Sequence, residues 1–305
     1  MQRIVSFLPS ATELIYALGA QEQLLGVTHE CTYPKEAKNK PKIINTVIDS
    51  EHLDSKQIDE ITCKLMNDGQ DIFVLDKENI KNAKPSLIVS QNTCEVCAAH
   101  TNQVQQAVEM LEIKPEIYSM DPHSVKEILE GITEFAKIID TEEKGKKLKK
   151  ELEFRIEKIK NKKIINKPRI VAIEWVNPFF TAGHWVPEMI KISGGVNMIS
   201  KTGEHSQRML MQKITNVEPE IIILMPCGFD VKRTKTEYEK FLKNDQEWNK
   251  LQAVKKGNVF AVDANSFFSK PSIRTIEGIE ILAKIIHPEI FSDLSVAKNS
   301  HMKLN

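Results

Sequence analysis

The sequence lacks an excess of charge of either sign. Its 305 residues include 42 lysines and arginines against 42 aspartates and glutamates. A balanced chain has no overall electrostatic field that would attract nucleic acid or an anionic membrane. The composition therefore argues against a nucleic-acid-binding function, and the length is sufficient for two lobes of ordinary domain size.

Long apolar runs are also missing. No stretch approaches the roughly 20 apolar residues that a membrane-spanning helix needs. The N-terminus, "MQRIVSFLPS", has no charged region followed by an apolar segment and a cleavage site, and no cysteine that could carry a lipid anchor. As given, the sequence predicts a cytoplasmic protein without a membrane span. A start further upstream would make an extracytoplasmic protein the expectation instead.

Cysteine is scarce, with only Cys31, Cys63, Cys94, Cys97 and Cys227 in the whole chain. Five cysteines in a chain of this length do not form the framework of a small disulfide-rich protein. In a reducing compartment we expect them to be thiols or metal ligands.

Several catalytic and nucleotide-binding signatures are absent. The sequence contains no GxGxxG, no phosphate-binding P-loop, no GxSxG and no HExxH. No nucleophile, general base and orienting residue can be assigned together. The sequence therefore favours a binding protein over an enzyme.

Short apolar runs alternate with segments of helical periodicity in both halves of the chain. Examples are "LIVS" at 87–90, "RIVAIEW" at 169–175 and "IIILM" at 221–225. This alternation predicts an α/β fold with two Rossmann-like lobes, each containing a mainly parallel sheet. At the start of the first helix, Ser10 and Glu13 have the spacing of a capping box.

The segment between the halves has apolar residues at helical spacing and predicts one long helix with a kink near Gly145. The last residues are polar and without periodicity, which predicts a frayed end. The predicted organisation is an N-terminal lobe over 1–122, a long connecting helix over 123–163, a C-terminal lobe over 164–290 and a flexible tail over 291–305.

In open parallel sheets, ligands bind beyond the carboxyl ends of the strands. The polar and aromatic residues that follow the apolar runs are therefore candidates for ligand binding. They are His29, Glu30, Gln91, Asn92, Cys94, Cys97, Trp175, Phe179, Phe180, His184, Trp185, Phe229 and Phe267. The aromatic members could form the wall of a pocket for a large planar ligand, or they could belong to the core.

Three of these candidates carry groups that bind soft or borderline metals. Thiolates and imidazoles suit zinc, copper or cobalt, so Cys94, Cys97 and His184 are candidate metal ligands. A single Cys-x-x-Cys without a second pair is also compatible with redox thiols or with structural packing at the start of a helix. The sequence leaves these three interpretations open.

Several longer segments of the sequence resemble segments of one known protein family. They are "SFLPSATELIYALGA", "GVTHECTYP", "ENIKNAKPSLIV", "IYSMDPHSVKEI", "EWVNPFFTAGHWVPEMIKISGGVNMI" and "VKKGNVFAVDANSFF". Together they resemble the cobalamin-binding members of the ABC-transporter substrate-binding proteins. That class has two lobes and a rigid connecting helix, and it also includes iron-siderophore and haem binders. The resemblance covers residues 2 to 288.

The resemblance implies a ligand and its contacts. Cobalamin, another corrinoid or a related metal chelate would lie in the cleft between the lobes. It would contact Pro9 and Ser10, the loop at 29–33 that includes Tyr33, the loop at 91–97 and the aromatic segment at 175–185. The resemblance also implies little closing motion, and a monomer is the default for this architecture.

Family members that deliver to a membrane permease dock through one glutamate on each lobe. The first position corresponds to Glu78, whereas the second falls at Gln212, which has no charge. With one docking carboxylate and no leader, the chain is expected to be a cytoplasmic relative that binds a corrinoid or another metal chelate for salvage, storage or hand-over.

Three alternatives stay open. The chain could be an ordinary exported receptor whose start is truncated. It could be an enzyme that processes a corrinoid with the thiols of Cys94 and Cys97. It could also be a thiolate metal-binding protein that holds zinc or another thiolate-bound metal without an organic ligand.

Overall fold

The computed structural model describes residues 1–91 and 101–304, and the chain divides into two compact units. Unit 1 consists of Met1–Leu53, Gln57–Pro122 and Ile128–Lys150, and unit 2 consists of Asp54–Lys56, His123–Glu127 and Glu151–Asn305. Each unit contains one sheet with helices, so the predicted α/β architecture of two lobes is confirmed. The division differs from the predicted one because two short segments, 54–56 and 123–127, belong to unit 2.

The sheet of unit 1 has six strands in the order β4-β3-β2-β1-β5-β6. Its neighbouring strands pair in parallel except for β3 and β4, which are antiparallel. Buried apolar residues from the strands and helices form its core. The elements of the first part of the chain are β1 (Ile4–Ser6), α1 (Pro9–Ala17), β2 (Leu24–Thr28), β3 (Lys42–Thr46), α2 (Ser55–Asn67), β4 (Phe73–Leu75), α3 (Lys77–Ala83), β5 (Leu87–Gln91), α4 (Thr101–Met110), β6 (Glu116–Met120), α5 (Val125–Ile138) and α6 (Glu142–Lys160).

The sheet of unit 2 has the strand order β10-β8-β7-β11-β12-β13, and β9 pairs with β7. Its centre is parallel, with β7 beside β11 and β11 beside β12, whereas β8, β10 and β13 add antiparallel strands. The elements are β7 (Arg169–Trp175), β8 (Phe179–Thr181), α7 (Val186–Ile192), β9 (Val196–Asn197), β10 (Arg208–Met209), α8 (Met211–Asn216), β11 (Ile221–Leu224), α9 (Val231–Phe241), α10 (Gln252–Lys255), β12 (Val259–Val262), α11 (Ala264–Phe267), α12 (Thr275–Ile286) and β13 (His301–Leu304).

The first helix does not have the predicted serine cap. Helix α1 begins at Pro9, with extended Leu8 as its N-cap, and Ser10 lies within the first turn. Proline is favoured at the first helical position because its backbone angle is preset and its missing N–H is not needed there. The side chains of Ser10 and Glu13 are buried rather than paired as a capping box at the surface.

The predicted single connecting helix is wrong in one respect, because the segment forms two helices, α5 and α6. They are separated at residues 139–141, where Asp140 has a positive φ of 57° and Thr141 N–H donates to the Ala136 carbonyl oxygen at 2.8 Å. Gly145 lies inside α6, and a Cβ atom there would lie 2.4 Å from the Ala136 Cβ, so this glycine permits close helix packing rather than a kink.

Among the described residues, no helix has the length and apolar character needed to cross a membrane.

The predicted flexible tail is also wrong. Residues His301–Leu304 form β13, which pairs with β12 from Val259↔Leu304 to Val262↔His301. Phe291 and Leu304 are buried, at 2% and 3% exposure. The edge of the sheet orders this polar segment, since its backbone groups pair with β12 and its few apolar side chains enter the core.

Candidate functional site

In unit 1, the residues expected to contact a ligand lie at one edge of the sheet. Strands β2, β1 and β5 are parallel neighbours, so their carboxyl ends share that edge. Pro9 and Ser10 follow β1, the loop at 29–33 follows β2, and Gln91 ends β5. The topology therefore brings three of the predicted contact segments together, whereas Asn92, Cys94 and Cys97 lie outside the described residues.

Within this edge, the loop at 29–33 is partly open to solvent. The His29 Nδ1 atom lies 3.3 Å from the carbonyl oxygen of Ile44, and Tyr33 is 45% exposed. Cys31 is buried, and its Sγ atom lies 3.1 Å from Thr12 Oγ1 and 3.3 Å from Thr28 Oγ1. The predicted contacts His29, Glu30 and Tyr33 are therefore at least partly accessible, and Cys31 is a packed thiol.

In unit 2, three predicted aromatic contacts are partly exposed at or beyond the end of β7. The indole of Trp175 donates from Nε1 to the Ser55 carbonyl oxygen at 3.0 Å. The ring of Phe180 lies 5.4 Å from the guanidinium of Arg208, and the ring of Phe179 stacks on Trp248 at a centroid distance of 6.2 Å. Trp175 and Phe180 combine apolar surface with accessibility, which a planar ligand requires.

Three other predicted pocket residues are interior. Trp185, Phe229 and Phe267 are 5%, 2% and 4% exposed. Trp185 donates from Nε1 to the Phe268 carbonyl oxygen at 3.0 Å, and Phe229 packs against Trp175 at a ring distance of 5.2 Å. These rings support the strand ends from inside, and their contact with a ligand stays a prediction.

The principal feature of unit 2 is a cluster of three imidazoles from His123, His184 and His205, called the imidazole cluster below. The ring centroids of His123 and His184 are 5.5 Å apart and stacked, and His205 lies edge-on to both, at 5.6 and 5.0 Å. The Nδ1 atoms of His123 and His184 are 3.3 Å apart. His123 and His184 are partly buried and His205 is exposed.

Hydrogen bonds to backbone groups position the segments that carry His123 and His184. The Glu188 carboxylate on α7 accepts a hydrogen bond from Val125 N–H at 2.7 Å, which attaches the His123 segment to this helix. His184 has a positive φ of 51°, its N–H donates to the Glu204 carbonyl oxygen at 2.6 Å, and its carbonyl oxygen accepts from Gly203 N–H at 2.9 Å. The His184 backbone thus adopts the uncommon left-handed conformation between two hydrogen bonds to the neighbouring loop.

Glu174, at the end of β7, lies beside the same loops. Its carboxylate accepts from Ser206 Oγ at 2.7 Å and from Gly183 N–H at 3.2 Å. Burial raises the pKa of the Glu174 carboxyl group, and these two hydrogen bonds oppose the shift. A carboxyl group therefore lies beneath the loops that carry two of the three imidazoles.

Neutral imidazole nitrogens can coordinate zinc, copper, iron or cobalt, and they also donate and accept hydrogen bonds. Among residues 1–91 and 101–304, no group of three or more histidine, cysteine, aspartate or glutamate side chains is arranged to hold a metal ion. His123 and His184 bring two such nitrogen donors together in unit 2.

Sequence reasoning identified His184 but missed two members of the cluster. His123 follows β6 in the phrase "DPHS", so the strand-end rule that identified His184 applies to it as well. His205 has no comparable signal, because it precedes the two-residue strand β10 and approaches His184 only through loop packing.

The fold and the site define the class of the protein: a two-lobe α/β binding protein with candidate contacts at the carboxyl ends of its strands. Residues 4–266 match the family described as Periplasmic binding protein, and the chain belongs to this family. The resemblance seen in the sequence is thereby confirmed.

Two curated relatives align over most of the chain. The uncharacterized ABC transporter substrate-binding lipoprotein YvrC of Bacillus subtilis is 26% identical over 302 residues, which are 96% of this chain and 82% of that protein. The vitamin B12-binding protein of Vibrio cholerae is 22% identical over 286 residues, covering 92% of this chain and 87% of that protein. Both relatives are named as binding proteins.

A solved structure shows the same fold. Staphylococcus aureus IsdE complexed with heme superposes with a TM-score of 0.69 at 19% identity, covering 94% of this chain and 99% of that one. Proteins similar to this chain thus include one named as vitamin B12-binding, one solved in complex with heme and one named as an ABC transporter substrate-binding lipoprotein.

Proposed function

We propose that the chain binds a cobalt corrinoid, with an imidazole of the cluster in contact with the metal. The observation that carries the proposal is the imidazole cluster in unit 2, which brings three nitrogen-donor side chains together. His123 follows the carboxyl end of the parallel strand β6, the kind of place at which open α/β sheets bind ligands, whereas His184 follows the antiparallel strand β8. That the ligand lies in a cleft between the lobes stays a prediction from the resemblance.

The chemistry of the site suits a metal macrocycle. The ring of a corrinoid occupies the equatorial positions of cobalt and leaves axial positions for other ligands, and imidazole is a suitable nitrogen donor. The accessible faces of Trp175 and Phe180 provide apolar area for the macrocycle or its side groups. In unit 1, Tyr33 and His29 are accessible polar side chains at the strand ends.

Haem is the second candidate ligand. It is also planar and leaves two axial positions on its metal, and histidine is a common ligand of haem iron. The three neighbouring imidazoles therefore favour haem as well as a corrinoid. The two candidates differ in their visible spectra, so one titration distinguishes them.

The test is a visible-absorption titration of purified protein with hydroxocobalamin, cyanocobalamin and haemin. We expect saturable one-to-one binding of hydroxocobalamin, with a band shift as an imidazole replaces the exchangeable axial ligand. His184→Ala should remove the shift and weaken binding about ten- to a hundredfold, equivalent to about 1.4–2.7 kcal/mol. His52→Ala is the matched control, because His52 is 79% exposed in unit 1 and pairs only with Asp49 among the described contacts.

Each result of the titration has a definite meaning. Binding of haemin alone would replace the corrinoid by haem as the ligand. An unchanged spectrum and affinity in His184→Ala would contradict the proposed metal contact. Failure of all three compounds to bind would refute the proposed function.

We also propose that an ABC permease is the physiological partner and that its contact with unit 2 is weakened. Glu78 is exposed in the first turn of α3, and Gln212 is exposed in α8. The resemblance implies a docking glutamate at each of these two positions. Position 78 has the glutamate, and position 212 has an uncharged glutamine instead. Docking of this kind requires the extracytoplasmic alternative of the sequence analysis rather than the cytoplasmic location predicted there.

Restoring the missing charge should strengthen docking. For Gln212→Glu we expect about two- to fivefold tighter binding to a detergent-purified permease of this transporter class, because an exposed ion pair contributes about 0.2–1 kcal/mol. The control is Gln252→Glu, which adds the same charge at an exposed position of α10. An equal gain in both variants, or none in either, would contradict the docking role of position 212.

A further inference from the structure

The carboxylate of Glu174 joins two separate loops that carry histidines. It accepts from the N–H of Gly183, the residue before His184, and from the hydroxyl of Ser206, the residue after His205. The acceptor distances are 3.2 and 2.7 Å. One side chain at the end of β7 therefore contacts the immediate neighbours of two clustered imidazoles.

The same two loops are in direct contact with each other. His184 N–H donates to the Glu204 carbonyl oxygen, and Gly203 N–H donates to the His184 carbonyl oxygen. A Cβ atom on Gly183 would lie 2.5 Å from the Glu204 oxygen and 2.6 Å from the Ser206 nitrogen. The backbones are thus packed without spare room, and Glu174 connects the packed pair to a central strand of the sheet.

Burial disfavours the charged form of the Glu174 carboxyl group. Burial raises its pKa, and hydrogen bonds from Ser206 and Gly183 compensate only in part. A buried carboxyl group loses its hydration, and here its hydrogen bonds to two loops take the place of water. These hydrogen bonds fix the positions of both loops relative to the end of β7.

We propose that Glu174 is a positioning residue, which joins the 183–184 and 205–206 loops so that the rings of His184 and His205 stay together in the imidazole cluster. The role of this geometry in ligand binding rests on the proposed function. The geometry itself is independent of any ligand, so it can be tested without one.

The first measurement is nuclear magnetic resonance of the histidine rings in the ligand-free protein. The chain has eight histidines, and single His→Gln variants assign their ring signals. We expect nuclear Overhauser contacts between the rings of His184 and His205, whose centroids are 5.0 Å apart. Glu174→Ala should remove these contacts, and Glu174→Gln should retain them, because its amide keeps an acceptor oxygen.

The control is Glu220→Ala. Glu220 also has a carboxylate that accepts a hydrogen bond from a backbone N–H, that of Arg169 at 3.0 Å. Arg169 lies at the start of β7, at the opposite end of the strand from Glu174. This variant should leave the histidine contacts unchanged. Loss of the contacts in both variants would show general loosening of unit 2 and overturn the positioning role, as would their persistence in Glu174→Ala.

The second measurement is the hydroxocobalamin titration with the same variants. We expect about tenfold weaker binding and a diminished band shift in Glu174→Ala, with recovery in Glu174→Gln. Equal affinity and spectra in Glu174→Ala and the unmodified chain would overturn the inference while leaving the proposed function intact. If the unmodified chain does not bind, the proposed function fails, and the ring contacts still decide whether Glu174 positions the cluster.

Discussion

Gly183→Ala is expected to weaken hydroxocobalamin binding at least about a hundredfold and to eliminate the axial-ligand band shift. A Cβ atom at this position would lie 2.5 Å from the Glu204 carbonyl oxygen, 2.6 Å from the Ser206 nitrogen and 2.9 Å from the His205 carbonyl carbon. All three are backbone atoms, so no side-chain rotation can relieve the contacts. The two loops must separate, which moves His184 away from His205.

The separation should also cost stability. Overpacking of a closely packed region typically costs about 1–3 kcal/mol. The hydrogen bond from Gly183 N–H to Glu174 and that from His184 N–H to Glu204 would both be lengthened or lost. Urea unfolding should therefore show a moderate decrease in the free energy of unfolding, alongside the much larger fractional loss of binding.

Gly131→Ala is the matched control for this change. Gly131 lies within α5, and a Cβ atom there would meet no other atom within 4 Å. Alanine in a helix interior is favoured over glycine by about 0.5–1 kcal/mol, so this variant should bind normally and unfold slightly later. Normal binding and an unchanged spectrum in Gly183→Ala would contradict the role of the packed loops in the site.

Deletion of residues 299–305 is expected to lower the free energy of unfolding by about 3–5 kcal/mol. Strand β13 pairs with β12 over four residues, and the N–H of Asp263 donates to the Ser300 carbonyl oxygen at 2.8 Å. Leu304 is 3% exposed and belongs to the same core cluster as Val259 and Trp248. The deletion leaves a cavity beside that cluster and removes the pairing partner of β12; loss of a buried leucine alone typically costs about 2–5 kcal/mol.

Two point variants separate core packing from strand pairing. Leu304→Ala should account for most of the loss, whereas Met302→Ala, at a residue that is 39% exposed on the same strand, should change stability by about 0.5 kcal/mol or less. Urea unfolding followed by circular dichroism measures all three changes. A deletion variant that unfolds at the same urea concentration as the intact chain would mean that the segment is a flexible tail.

The sequence by itself predicted the α/β class, the two lobes and the family. Runs such as "IIIL" at 221–224 form buried strands because their β-branched and apolar residues suit a sheet covered on both faces. This signal depends on neighbouring residues only, so it can be read from one chain. The strand-end rule also selected His184, although this residue follows the antiparallel strand β8 rather than β7, and applied to β6 it would have identified His123.

Local signals failed where long-range pairing decides the structure. The segment "HMKL" has no pattern that distinguishes it from a polar tail, and it becomes β13 because the edge of β12 is available to it. Ser10 and Glu13 have the spacing of a capping box, but the helix begins at Pro9, two residues before the start that a Ser10 cap predicts. Asp140 and Thr141 separate α5 from α6 within a stretch whose apolar spacing is helical throughout.

Only the tertiary structure assembled the imidazole cluster and its support. His205 and Ser206 reach His184 and Glu174 because a glycine at 183 lets two loop backbones approach closely, and this contact joins residues that are distant in sequence. Periodicity describes which face of one element is buried. It does not describe which loops meet, since that depends on how complete strands and helices pack.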